Sequence, residues 1–194
     1  MVLATVKRFT TAEYHQLTAL AFFQEDDRVE LIDGQIVEMA AKGTAHETCN
    51  RRLMRELLKL LGDRATLQNQ SPIVLSNQSE PEPDFAIVQN RADDYLAGHP
   101  TAADVIWVIE VADSSLGYDQ AVKLPLYAQA GIADYWIFNL VEGRLEVYSE
   151  PYQTTEGQFG YRVTRIVLPN EAIALPGFAD RSLDLVKVFP PQTR

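Results

Sequence analysis

The sequence predicts an α/β protein of the mixed α+β kind. The expected form is a central mixed sheet flanked by helices, with an N-terminal hairpin and extra C-terminal strands, all in one domain spanning residues 1–194. Apolar runs at 85–88, 104–111 and 135–138 read as strands buried on both faces. Helical periodicity marks 44–61, ahead of all three, and 118–130, between the last two. The 194 residues, 46% apolar and 23% charged, hold no repeat, low-complexity tract or linker. A domain of that size buries roughly 70% of its unfolded surface.

Thr10-Thr11-Ala12-Glu13 fits a capping box, so a short helix is expected over 11–20. Glu25-Asp26-Asp27 reads as a turn. Val29–Ile32 and Gln35–Met39 flank Asp33-Gly34, and Asp-Gly suits the positive φ of a type I′ hairpin turn. Thr44-Ala45-His46-Glu47 is a second candidate capping box, opening a helix that Gly62 stops. Leu53, Leu57, Leu60 and Leu61 stripe this helix. Short strands are expected near 65–69 and 72–75, then a polar loop to Pro83. Alternation along 104–111 sets Ile106, Val108 and Glu110 on one face and Trp107, Ile109 and Val111 on the other. Pro125 falls inside the helix expected over 118–130, where it predicts a kink or a restart. Strands are expected again at 145–148, 161–167 and 172–175. If the strands flanking that helix are parallel, their connection is a right-handed crossover.

The single Cys49 cannot form an internal disulfide and suits a reducing compartment. No apolar run approaches the ~20 residues of a membrane span. The opening MVLATVKRFTTAEYHQ has no signal-peptide pattern, so the protein is expected to be cytoplasmic and off the membrane. Net charge is 17 − 27 = −10, which argues against nucleic-acid binding by the whole surface. Residues 80–119 hold nine acids against the one base Arg91, or −8. Such a window is either a solvated acidic face or a place where carboxylates gather around a cation.

Glu110 ends an otherwise apolar strand. Either the strand has reached solvent there, or the carboxylate is buried with a cation or several donors. Asp84 stands between Pro83 and the run 85–88, as an ordinary loop acid or as a second carboxylate at the same sheet end. Two such carboxylates suit a hard divalent ion such as Mg²⁺, with Mn²⁺ as a substitute, able to polarise a phosphoryl oxygen and activate water. Meeting without a cation, their like charges should raise at least one pKa. Lys123 lies four residues after Asp119 and four before Tyr127, on one helical face. Asp119–Lys123 is either a surface ion pair or part of a site in which the ammonium offsets charge developing on phosphorus.

Pro83-Asp84, Glu110-Val111, Lys123 and Tyr127 together resemble the PD-(D/E)XK nuclease superfamily. More closely, the chain resembles its bacterial "putative restriction endonuclease" branch, long labelled a domain of unknown function. Glu30-Leu31-Ile32-Asp33-Gly34, His46, Val108-Ile109-Glu110-Val111, Asp119 and the stretch Tyr127–Trp136 extend the likeness over roughly residues 9–150. The resemblance implies a three-layer restriction-endonuclease-like core, often dimeric. It also implies a Mg²⁺-dependent endonuclease that hydrolyses DNA phosphodiester bonds. Glu30, Asp84 and Glu110 would form the acidic metal cluster and Lys123 the catalytic lysine, with His46, Tyr127 and Asp119 accessory. The usual E-x-K is absent, because Val111 and Ala112 follow Glu110, so the lysine would have moved to the next helix.

Arg51, Arg52, Arg55, Lys59 and Arg64 offer a basic strip for DNA, which needs a basic path rather than a basic protein. The apolar segment Leu183–Pro191 supports a homodimer. The alternative reading is a catalytically inactive interaction or scaffold protein retaining the nuclease fold. A third is a nuclease for RNA or single strands, with Tyr95, Tyr118 and Tyr127 stacking bases.

Overall fold

In the computed structural model, which describes residues 5–24 and 26–190, a six-stranded sheet runs in the order β3-β4-β5-β6-β7-β8. Its strands are β3 (Thr66–Asn69), β4 (Phe85–Val88), β5 (Val105–Ala112), β6 (Asp134–Asn139), β7 (Arg144–Gln153) and β8 (Phe159–Val167). Only β5 and β6 pair in parallel; the other neighbours are antiparallel. The parallel pair is joined through helix α3 (Leu116–Tyr118), a π turn (Asp119–Lys123) and helix α4 (Leu124–Gln129). Two small hairpins flank the sheet: β1 (Val29–Ile32) with β2 (Gln35–Glu38), and β9 (Ala172–Leu175) with β10 (Phe178–Asp184).

Three layers result, as the mixed α/β reading expects. On one face of the sheet, Trp107, Ile109, Val111, Trp136 and Phe138 pack against Leu53, Leu57 and Leu61 of α2 (Thr44–Leu61) and against the C-terminal hairpin. On the other, Val108, Tyr135 and Ile137 pack against Tyr127 and Ala128 of α4. Helix α1 (Thr11–Ala19) carries the expected capping box and buries no residue. Asp33 and Gly34 have φ of 47° and 72°, as the hairpin turn requires.

Several expectations are corrected. The helix at Thr44 has no capping box: Gly43 is its N-cap, no side chain caps it, and Thr44 already lies inside the first turn. Residues 72–75 form no strand; Val74 makes only an isolated bridge to Thr101. Ile106 leaves the face assigned by alternation, because a bulge between the Ile87↔Trp107 and Val88↔Val105 pairs turns it toward the Trp107 side. The segment expected to support a dimer is intramolecular: Leu183, Leu185, Val188 and Phe189 are buried in the core. Pro191, like Glu25 of the expected turn and the first four residues of the opening stretch, lies outside the described residues. Pro125 falls in the first turn of α4, where a missing N–H is tolerated. The π turn ahead of it absorbs the break, with the Leu124 N–H donating to the carbonyl of Asp119. Strand β10 is an addition, its sequence alternating too weakly to mark it.

Candidate functional site

Antiparallel pairing fixes the centre of the site. Phe85 faces Ile109, so Asp84 and Glu110 fall opposite each other at the next step along the ladder. The Asp84 N–H donates to Glu110 Oε2 at 3.1 Å. Hairpin β1–β2 docks through Leu31, whose backbone pairs with Glu80, and turns Glu30 inward. There Glu30 Oε2 accepts from the Glu82 N–H at 3.1 Å, and Oε1 accepts from the Tyr118 hydroxyl at 3.3 Å. Glu30, Asp84, Glu110, Asp119 and Lys123 are all buried. Together with His46, Lys42 and Tyr118 they line one cavity of about 290 Å³, walled by residues 37–43 and 113–115.

Lys123 bridges two of the acids. Its Nζ lies 2.9 Å from Glu110 Oε1 and 3.3 Å from Glu30 Oε2. The Tyr127 hydroxyl donates to the same Glu110 Oε1 at 2.9 Å. Asp84 has its own partners. Oδ2 meets His46 Nε2 and accepts from the Val111 N–H, each at 2.9 Å, while Oδ1 accepts from Lys42 Nζ at 3.2 Å and Gln70 Nε2 at 3.3 Å. Nδ1 of His46 is buried without a partner among the described residues. Asp119 accepts from Ser115 Oγ at 2.7 Å. Its neighbour in the π turn, Gln120, donates to the buried Glu146 at 2.8 Å, tying the turn to β7.

These surroundings separate the two central carboxylates. Burial would raise Asp84, but the His46 hydrogen bond, the charges of His46 and Lys42 and the Val111 N–H hold it down at about 2. Burial pushes Glu110 up to about 8; the Lys123 ammonium pulls the other way, and the charges of Asp119 and Asp84 add to the rise. Burial likewise lifts Asp119 to about 6. Burial disfavours the Lys123 charge, yet Glu110, Glu30 and Asp119 outweigh it and hold the ammonium well above the ordinary lysine range. Lys123 is thus the secure charge: three acids around one ammonium leave excess negative charge, and that excess, with burial, lifts Glu110 and Asp119. The expectation that at least one of the two is raised is met at Glu110, where burial acts more strongly than like charge, while Asp84 has cations of its own.

Among the described residues, no three His, Cys, Asp or Glu side chains stand close enough to hold a metal ion. Glu30 reaches Glu110 only across the Lys123 ammonium. In kind, the donors fit a hard divalent cation: carboxylate oxygens of Asp84 and Glu110 line the same cavity, with room for the waters such an ion keeps.

The basic strip is divided. Arg51, Arg55 and Lys59 are exposed along α2. Arg52 donates to the Phe189 carbonyl at 2.7 Å and is committed within the fold, while Arg64 stays exposed and pairs with Asp180 at 2.8 Å over the Phe178 ring. Of the tyrosines read as stacking candidates, Tyr95 and Tyr127 are buried, and only Tyr118 lines the cavity. Sequence reasoning missed Lys42, Gln70, Glu82 and Ser115. Gln70 carries a positive φ of 51° that brings its amide to Asp84, and nothing in the sequence marks it.

A model of the family described as "Uma2: Putative restriction endonuclease" matches residues 11–185. No curated protein matches. Among solved structures, the chain is similar to a protein from Anabaena variabilis described as a "putative nuclease belonging to DUF820". The TM-score is 0.69 at 16% identity, covering 93% of this chain and 97% of that one, a likeness of fold. No described helix is long and apolar enough to cross a membrane.

Proposed function

Because the chain belongs to the Uma2 family and has a nuclease-like fold, we propose that it is a divalent-metal-dependent endonuclease of PD-(D/E)XK type. Its substrate is a DNA phosphodiester bond, hydrolysed in the cavity at the end of β4 and β5. The observation that carries this reading is the convergence of Asp84, Glu110 and Lys123, with Glu30 beside them, in one cavity. Asp84 and Glu110 would hold Mg²⁺ or Mn²⁺, with Glu30 entering through its neighbour Lys123. The cation supplies Lewis-acid polarisation of the phosphate and activation of water.

The rest falls to the chain itself. Lys123, clamped between Glu30 and Glu110, keeps a fixed positive charge beside the reacting phosphate and offsets what develops there. Tyr127 orients the Glu110 carboxylate, and His46 with the Val111 N–H orients Asp84. Arg51, Arg55 and Lys59 would meet the DNA backbone along α2. The free, buried Cys49 fits a cytoplasmic location. A homodimer belongs to the same reading on family resemblance alone, and light scattering tests it: a single ~22 kDa species at high concentration removes it.

The test is nicking of a supercoiled plasmid with Mg²⁺ or Mn²⁺. Wild type should cut only with the metal, and Asp84→Asn and Glu110→Gln should each lose at least about a hundredfold in rate. A rate close to wild type in either variant overturns the assignment. One observation favours the scaffold alternative: Asp84 and Glu110 already have ammonium partners in Lys42 and Lys123. No Mn²⁺ binding and no affinity for duplex DNA would establish it.

A further inference from the structure

The second ammonium of the cavity has no place in the scheme above. Lys42 sits on the loop between β2 and α2, and residues 39–43 of that loop all line the cavity. Its Nζ is 3.2 Å from Asp84 Oδ1, on the carboxylate assigned to the metal. The two lysines are held differently. Lys123 has a 6% exposed side chain, stands on a helix and is gripped by two carboxylates. Lys42 has a 16% exposed side chain and one carboxylate partner. Among the described residues, the backbones of Ala40, Ala41 and Lys42 make no hydrogen bond outside regular elements. A long, flexible ammonium on such a loop can exchange partners at little cost.

We propose that Lys42 is a substrate-binding residue held in reserve: in the free protein it neutralises Asp84, a divalent cation displaces it, and the released ammonium binds a backbone phosphate of the nucleic acid. This rests on the nuclease reading and adds to it a competition between lysine and metal for one carboxylate. Two positive charges cannot share Asp84 Oδ1 without repulsion, so the cation and the Lys42–Asp84 pair exclude each other. The displaced charge then lies at the mouth of a cavity whose other lining charges are mostly acidic, where an entering phosphate most needs a cation.

The experiment compares wild type, Lys42→Met and Lys42→Arg. Mn²⁺ alone is titrated calorimetrically into each protein. Duplex DNA binding is then measured against salt in Ca²⁺. Lys42→Met should bind Mn²⁺ on the order of tenfold more tightly than wild type, a coupling of ordinary size for two ligands of one site. It should also bind DNA more weakly, with the slope of log K against log[salt] shallower by about 0.9, the value of one phosphate contact. Lys42→Arg should stay close to wild type in both. Equal Mn²⁺ affinity in wild type and Lys42→Met overturns the competition, and an unchanged salt slope overturns the phosphate contact. Mn²⁺ binding to neither protein overturns the metal reading itself together with this proposal. Lys42 lies on a loop outside the core, so both variants should fold, and circular dichroism melts without metal verify it.

Discussion

Asp84→Asn separates two accounts of the carboxylate pair, because they give opposite signs. Like charges meeting without a cation would make the metal-free variant at least as stable as wild type. The observed surroundings predict the reverse. Asp84 is held from its ordinary 3.8 down to about 2, with His46 and Lys42 as partners. A carboxyl depressed in the folded state stabilises above its unfolded pKa, and the contribution disappears as pH falls through the folded one. Near neutral pH the ionised Asp84 is therefore worth about 2 kcal/mol. Asparagine keeps one acceptor for the Val111 N–H and His46 but then turns its amide donor toward the Lys42 ammonium and the Gln70 amide. The metal-free variant should melt roughly 4–8 °C below wild type at pH 7 for a domain of this size. That gap should close as pH is lowered toward 2. Mn²⁺ at a hundredfold excess over Kd should raise wild-type stability by about 2.7 kcal/mol and the variant by much less. Melts at fixed ionic strength, with and without Mn²⁺, decide it. A metal-free variant as stable as wild type at pH 7 would falsify the compensated-charge argument.

Three further outcomes follow from the same geometry. Lys123→Met strands Glu30 and Glu110 as buried acids without their cation and should cost about 3–5 kcal/mol by urea denaturation at pH 7; a loss under about 1 kcal/mol would remove the ammonium from the cluster's charge balance. Glu110 takes up a proton in the folded state that the unfolded chain gives up between its ordinary 4.5 and about 8, so wild-type stability should fall as pH rises through that window. Asp119 shares the lower part, up to about 6, so Glu110→Gln should flatten the profile mainly above pH 6, and an unaltered slope there argues against a raised Glu110. Arg52→Ala loses the bond to the Phe189 carbonyl and should cost about 2 kcal/mol, whereas exposed Arg55→Ala should cost under about 0.5 kcal/mol and act on the salt dependence of DNA binding instead. The same stability loss in both would contradict this division of the strip.

The parts legible in the sequence are those where one local rule acts without competition. The runs 85–88 and 104–111 are apolar on both faces and can only be central strands. Asp33-Gly34 meets a backbone requirement that few pairs satisfy. The meeting of Asp84 and Glu110 follows once β4 and β5 are neighbours, since the ladder itself brings the two acids together, while Lys123 arrives through the crossover and its π turn. Elsewhere a tertiary term decides. Ile106 changes face through one bulged pair that no period-2 pattern encodes. The apolar residues of the Leu183–Pro191 segment needed covering, and the sequence does not distinguish a second copy from the chain's own sheet; Leu185 and Val188 found the latter. Glu146 drew no reading from the sequence, yet it is buried, with Asn139, Gln120, Arg144 and Tyr148 all bonded to it. Lys42 gave no signal, for a lysine in a polar loop is the commonest of solvated residues.

The π turn at Asp119–Lys123 also loosens the tie between chain length and the site. Each residue of an α-helix turns the chain by about 100°. A residue lost from an ordinary turn would swing everything after it by that angle. The widened turn holds one residue more than an α turn needs, with the Leu124 N–H reaching back to the Asp119 carbonyl. Losing the exposed Ala121 would close it to an ordinary turn, with that N–H still on the same carbonyl. Lys123 and Tyr127 would keep their direction toward Glu110, although each stood one residue nearer to it in sequence. Counting residues between the β5 acid and its lysine is therefore not enough to recognise the same arrangement in a related chain. The count has to be made in turns, and a chain without the surface alanine would aim the same ammonium.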